Sequence, residues 1–203
     1  IMTAPKTLSR ENFFRELREK TSFYHTQLEE TELSRAILKE EISLDDYRNY
    51  LKAMYAFEKP FEDFYFPVLE KVFTDISRRR RAQDIEKDLI ALKASGETSL
   101  EVFEPSEIKL DKAVGAMYVM QGSSLGGRMI LKHVNKFLGL DLESGAAYFH
   151  GYGAETGKLW TSFLDEMWSF AENNPKQHEI IEGAVETFKK MCERFSRQEI
   201  YAV

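Results

Sequence analysis

Two groups of residues in this chain have the types and spacing for chemistry. Phe14, Arg18, Thr21 and His25 form one helical stripe, with Glu29 a turn further on. Arg18 and His25 stand two turns apart, about 10 Å of axial rise. The second group interrupts "YVMQGSSLGGRMILKHV", Tyr118 to Val134, with Gly122, Ser123, Ser124, Gly126 and Gly127. Three helix-interior glycines put roughly 3 kcal/mol against the helix that the flanks request. Gly122 lies beneath Gly126, and Ser123 beneath Gly127 in the adjacent row. A single small-residue row serves close helix packing. Two rows side by side also make a shelf wide enough for a flat ligand, on a helix free to bend.

A planar metal macrocycle on that shelf needs an axial ligand opposite. Of His25, His133, His150 and His178, only His25 has suitable company. One helix could hold iron through His25 and a carboxylate edge through Arg18, while Glu29 or a bridging water orients the imidazole. The competing reading of His25 is an ordinary half-buried histidine. The other three read as surface or loop residues.

The elements that must position these groups are helical. No alternation of period two is long enough to build a sheet, and apolar residues recur at helical spacing. Ser9 can cap a helix through Phe13, Leu17, Tyr24 and Leu28, and Ser43 a second through Tyr47, Leu51, Met54 and Phe57. Pro60 and Pro67 should bend or divide the aromatic stretch "PFEDFYFPVLEKVF". A helix is expected near Arg81 to Ser95, closed by Gly96, with Pro105 in an irregular connection. The glycine-bearing helix should run from about Leu110 to Leu138 and stop at Gly139. "SGAAYFHGYGAETG" reads as a short helix and turns, "KLWTSFLDEMWSFAENN" as a helix, and Asn174 as the cap of the last helix. The fold class is all-α, one helical bundle over residues 1–203.

Composition narrows the function. At 43% hydrophobic, without repeats or low-complexity stretches, the chain can bury a full core. No apolar run is long enough to span a membrane, no signal-peptide core opens the chain, and a cytoplasmic protein is expected. The single cysteine, Cys192, cannot form an internal disulfide and is expected to be a packed thiol. The net charge of −6 argues against general nucleic-acid binding. "SRRRRAQ", with Arg78 to Arg81, is a solvated run or a docking patch for an acidic partner. A carboxylate-bridged di-iron bundle needs Glu-x-x-His pairs, and the residues three before the histidines are Ser22, Ile130, Ala147 and Pro175.

"LREKTSFYHTQLE", Leu17 to Glu29, resembles the proximal helix of haem oxygenases, and "YVMQGSSLGGRMI" resembles their distal helix. "YGAETGKLWTSF", Tyr152 to Phe163, is similar to the segment after the distal helix in bacterial biliverdin-producing members. The three occur in family order and spacing, and the similarity extends over nearly the whole chain. The resemblance implies an all-α fold with haem between the first helix and a glycine-kinked distal helix. Haem is cofactor and substrate there: with O2 and electrons it is opened to biliverdin, releasing CO and ferrous iron. His25 falls on the axial iron ligand, Glu29 on its partner, and Arg18 where a basic residue meets a propionate. Gly122, Gly126 and Gly127 fall on the backbone that approaches the distal haem face. Lys158 is a candidate second propionate partner, and Arg128 another.

One departure stands out. Mammalian-type members carry an aspartate after the first distal glycine, where it holds a proton-delivering water network, and this chain has Ser123. A serine hydroxyl can relay through water without supplying charge. Ser123, Gly122 and Gly126 are therefore the expected catalytic positions. Nothing in the sequence reads as a nicotinamide, flavin or iron–sulfur site, so electrons must come from an external reductase or ferredoxin-like donor. The alternative is a non-catalytic haem sensor or carrier of the same fold.

Overall fold

Ser9 and Ser43 set the first two long helices. In a computed structural model that describes residues 7–94 and 107–197, the Ser9 hydroxyl accepts from the Asn12 N–H and starts α1 (Arg10–Glu30). Thr31 ends α1 and caps the short α2 (Glu32–Ala36), an element that the sequence did not suggest. Ser43 and Asp46 form a reciprocal capping box at the start of α3 (Leu44–Phe64).

The two prolines behave differently. Pro60 is buried inside α3, which continues through it, whereas Pro67 opens the one-turn α4 (Phe66–Leu69). Proline in a helix interior costs a hydrogen bond. Phe61 offsets that cost by stacking on Tyr65 at 4.8 Å and packing edge-on to Phe66 at 5.9 Å. Ile76–Arg79 then forms a three-ten turn leading into α5 (Ala82–Ala91).

α5 is shorter than the expected Arg81 to Ser95 helix. Lys93 takes the left-handed conformation (φ 54°), and the Ala94 N–H reaches back to the Leu89 carbonyl at 2.8 Å. A lysine thus makes the stop expected of Gly96. Gly96 and Pro105 lie outside the described residues.

α6 (Leu110–Leu138) runs as one uninterrupted helix through all its glycines and stops at Gly139, in the left-handed region at φ 67°. α7 (Ala147–His150), a three-ten turn at Gly153–Glu155 and α8 (Thr156–Ala171) come next. The last helix, α9 (Gln177–Phe195), has no side-chain cap. Asn174 corrects the expectation: its Oδ1 accepts the Lys176 N–H at 2.9 Å and its amide donates to Asp111, so it braces the preceding turn.

α9 is the spine. It packs along α6 and along α1, while α3 pairs with α5, and α7 and α8 close on α6. The core between these helices is fully buried at Leu17, Val114, Met117, Ile180 and Ala184. Each large aliphatic so buried contributes about 1.5–3 kcal/mol. α1 and α6 both rest on α9 without packing extensively on one another.

Candidate active site between α1 and α6

On α1, His25 stands exposed with its Nδ1 3.6 Å from Glu29 Oε1, one turn on. Its ring meets Phe188 of α9 edge-on, centroids 5.6 Å apart, so an apolar support and an acceptor together limit how it can turn. Arg18, two turns upstream, faces across to α6. Burial raises the Tyr118 phenol on α6, and the Arg18 guanidinium pulls it back. Thr21 takes no part, since its hydroxyl is buried and donates to the Leu17 carbonyl at 2.8 Å.

The glycines of α6 divide into two kinds. A β-carbon on Gly127 would lie 2.8 Å from the Phe149 carbonyl oxygen, so this glycine serves close packing against α7. A β-carbon on Gly126 would meet nothing within 4 Å, and one on Gly122 only the edge of the Trp160 indole at 3.8 Å. Packing cannot account for these two. They leave bare backbone on a face bounded by Trp160 and Tyr118, whose rings lie 5.6 Å apart. An open, side-chain-free strip on α6 can take the face of a flat ligand, and the histidine–carboxylate pair on α1 can supply an axial bond.

Behind that strip runs a polar network that sequence reasoning missed. The Ser123 hydroxyl donates to the Met120 carbonyl at 2.7 Å and accepts from Arg81 Nη1 at 3.0 Å. Arg81 is 2% exposed, lies over the Tyr148 ring at 4.2 Å, and has Glu58 Oε1 3.8 Å away. Arg79, also buried, is bound by both carboxylate oxygens of Asp75 and donates to Gln121 Oε1 at 3.0 Å. Tyr152 donates to the same Gln121 oxygen. These facts overturn the reading of Arg78 to Arg81 as a docking patch. Alternate residues of the run point inward, where carboxylates pair them, and the inward pair cannot meet a partner. A clue did exist on α3: Tyr47, Leu51, Met54, Glu58 and Phe61 follow 4-3-4-3 spacing, which puts Glu58 in a core position. A carboxylate there requires a buried cation.

A sequence profile described as "Heme oxygenase" matches residues 11–197. The chain belongs to the haem oxygenase family. Haem oxygenase activity, with haem as substrate and cofactor, goes with that membership. A curated relative, "Heme oxygenase PigA" of Pseudomonas aeruginosa, is 23% identical over 158 residues, covering 76% of this chain and 78% of that one. Among solved structures, the haem oxygenase of Neisseria meningitidis, with NO and CO bound, has a TM-score of 0.74 at 24% identity. It covers 93% of this chain and 92% of its own. The Synechocystis enzyme in complex with haem has a TM-score of 0.68 at 19% identity, covering 91% and 90%. The all-α fold expected from the sequence is thus the haem oxygenase fold.

The remaining candidate site residues are dispersed on this haem oxygenase fold. Lys158 is 82% exposed and paired with Glu155 at 3.8 Å, with no described contact to Arg18 or His25. Arg128 donates to the Gly153 carbonyl at 3.3 Å, tying α6 to the turn before α8. His133 bonds the Lys39 carbonyl at 2.8 Å, and His150 and His178 are exposed. Cys192 is half-buried with its thiol donating to the Tyr24 carbonyl, in keeping with a packed thiol. No described helix is long and apolar enough to cross a membrane.

Proposed function

We propose that this chain cleaves haem to biliverdin, CO and ferrous iron, binding it between α1 and α6. The observation that carries the reading is backbone left bare at Gly122 and Gly126 for no reason of packing, on a chain whose α1 also carries the His25–Glu29 pair. Bound haem supplies the iron at which O2 is reduced and the porphyrin edge that is oxidised.

His25 would hold the iron, its Nε2 being left for that role because Nδ1 faces Glu29. Glu29 fixes the ring's orientation and raises its basicity. Arg18 meets a propionate from the same helix. Gly122 and Gly126 would let the macrocycle approach the α6 backbone, with the Trp160 and Tyr118 rings beside it. Gly127 keeps α6 seated on α7. Ser123 carries the remaining role. Its proton is engaged by Met120 and one lone pair by Arg81, so the other lone pair is free to accept from water. Ser123 thereby anchors a proton-delivering water without a carboxylate. Electrons come from a separate reductase or ferredoxin-like protein. Lys158 would be a second propionate partner.

The test is to load the purified protein with one equivalent of hemin, then add ascorbate in air with catalase present. Loss of the haem band with growth of a biliverdin spectrum is expected. A haem complex that persists under a competent donor would make the protein a sensor or carrier, and no complex at all would remove the site.

A further inference from the structure

Two carboxylates on adjacent turns of α3 have no part in the site so far, and both are 4% exposed. Glu62 serves mainly backbone: its Oε1 accepts the N–H groups of Arg81 at 2.5 Å and Ala82 at 2.8 Å, while its Oε2 accepts from Arg80 Nη1 at 3.4 Å. Glu58 serves side chains. Its Oε1 accepts from the Tyr148 hydroxyl at 2.9 Å and lies 3.8 Å from Arg81 Nη1. That same nitrogen is the donor to Ser123. Asp88 completes the frame by accepting the N–H groups of Ala147 and Tyr148, each at 2.8 Å, which fixes the segment bearing Tyr148.

We propose that Glu58 is a positioning residue for haem cleavage, setting through Arg81 the orientation in which the Ser123 hydroxyl meets water on the distal helix. The inference rests on the role given to Ser123 above. Arg81 cannot itself pass a proton, because a guanidinium does not deprotonate in a protein. It can only anchor. Its Nε is buried and meets no acceptor among the described residues, so its place depends on the contacts at the other end of the group. Those contacts are Ser123, the Tyr148 carbonyl at 3.2 Å, the rings of Tyr148 and Tyr152, and Glu58. Glu58 alone among them is a carboxylate.

Glu58 also makes the anchor sensitive to pH. Burial raises its carboxyl to about 7, while Arg81 and the Tyr148 hydroxyl pull it down and Glu62 and Asp84 push it up. Tyr50 of α3 faces Tyr148 on the same network. Ionised Glu58 grips the guanidinium by charge, and protonated Glu58 by dipole alone.

The experiment compares the wild-type chain with Glu58→Gln, Glu58→Asp, Ser123→Ala and the Glu58→Gln/Ser123→Ala pair. Hemin affinity, single-turnover rate against pH, and guanidinium proton exchange of Arg81 by 15N NMR in the haem-free protein are the readouts. Glu58→Gln should bind hemin as wild type does, turn over about tenfold more slowly above neutrality, and lose most of its pH dependence. Glu58→Asp should recover part of the rate. Arg81 exchange should quicken in Glu58→Gln without haem, and the two substitutions should be non-additive in the pair. A wild-type pH profile and unchanged Arg81 exchange in Glu58→Gln would overturn the proposal. So would additive effects in the pair, or a loss of rate that only tracks lost hemin affinity. A wild-type protein that leaves hemin intact would instead refute the function, and the haem-free exchange measurement does not depend on that outcome.

Discussion

Gly115 of α6 and Gly183 of α9 stand on opposite sides of one helix crossing, each against bare backbone of the other helix. A β-carbon on Gly115 would run into the Ile180 carbonyl and come within 2.7 Å of the Ala184 nitrogen. One on Gly183 would run into the Lys112 carbonyl and lie 2.6 Å from the Lys112 Cα. Backbone cannot rotate aside, so alanine at either position must push the spine helix off the distal helix. The expected cost is about 1–3 kcal/mol. At roughly 2–4 °C per kcal/mol for a chain of this size, thermal melts should show it clearly. An unchanged midpoint in both variants would mean that the crossing has room to spare.

The neighbouring glycines Gly126 and Gly127 should respond with opposite signs. Gly126→Ala adds a methyl to open space and removes a helix-interior glycine, so the haem-free protein should gain about 1 kcal/mol. Its hemin affinity should fall, because that methyl occupies the face given to the macrocycle. Gly127→Ala should lower haem-free stability through the Phe149 carbonyl. Paired melts and hemin titrations check both, and a Gly126→Ala variant that binds hemin normally would argue against the placement of the ligand.

His25→Ala should lose the absorption spectrum of a histidine-ligated ferric haem, and added imidazole should restore it by filling the space left by the ring. Arg18→Met keeps the stem and removes the charge, so it should weaken hemin binding a few-fold without changing the ligation spectrum. A reversal of these two outcomes would mean that Arg18, and not His25, dominates binding.

Heat resistance should decline as the solution passes from mildly acidic to neutral. Burial raises the Glu58 carboxyl from 4.5 to about 7 and that of Asp88 from 3.8 to about 6. Between the unfolded and folded values, the folded chain keeps a proton that the unfolded chain has released. Stability from these groups is therefore complete below the unfolded values and is lost as pH rises through the folded ones. Melting midpoints recorded across this window should fall with pH, and Glu58→Gln should flatten the decline. A slope identical in the variant would assign the effect elsewhere.

The side proposed for haem could be read from the sequence because its residues are strung along single helices. Arg18, His25 and Glu29 need only the helical repeat, and Gly122 with Gly126 likewise, so local spacing carries their relationship. The network behind Ser123 was not legible, because Glu58, Arg81, Ser123 and Tyr148 come from four separate elements that only tertiary packing unites. Arg79 and Arg81 were hidden inside a run that reads as surface charge. The glycine motif was half legible: spacing shows two small rows, but not that Gly127 faces a carbonyl while Gly126 faces open space. Gly96 misled because Lys93 had already stopped the helix, and Asn174 because its side chain braces the preceding turn and leaves α9 without a side-chain cap.

The first turn of α5 depends on a residue far from it in sequence. Arg81 at the N-cap position offers no side-chain bond to this turn, and Glu62 of α3 supplies the acceptor instead. A helix of ten residues is too short to persist alone in water. α5 is therefore stable only as it docks on α3, so the two should open and close as a single cooperative unit in hydrogen exchange. Arg81 reaches Ser123 only when that unit has closed. The contact that orients the hydroxyl beside Gly122 is thus only as stable as the docking of α5 on α3.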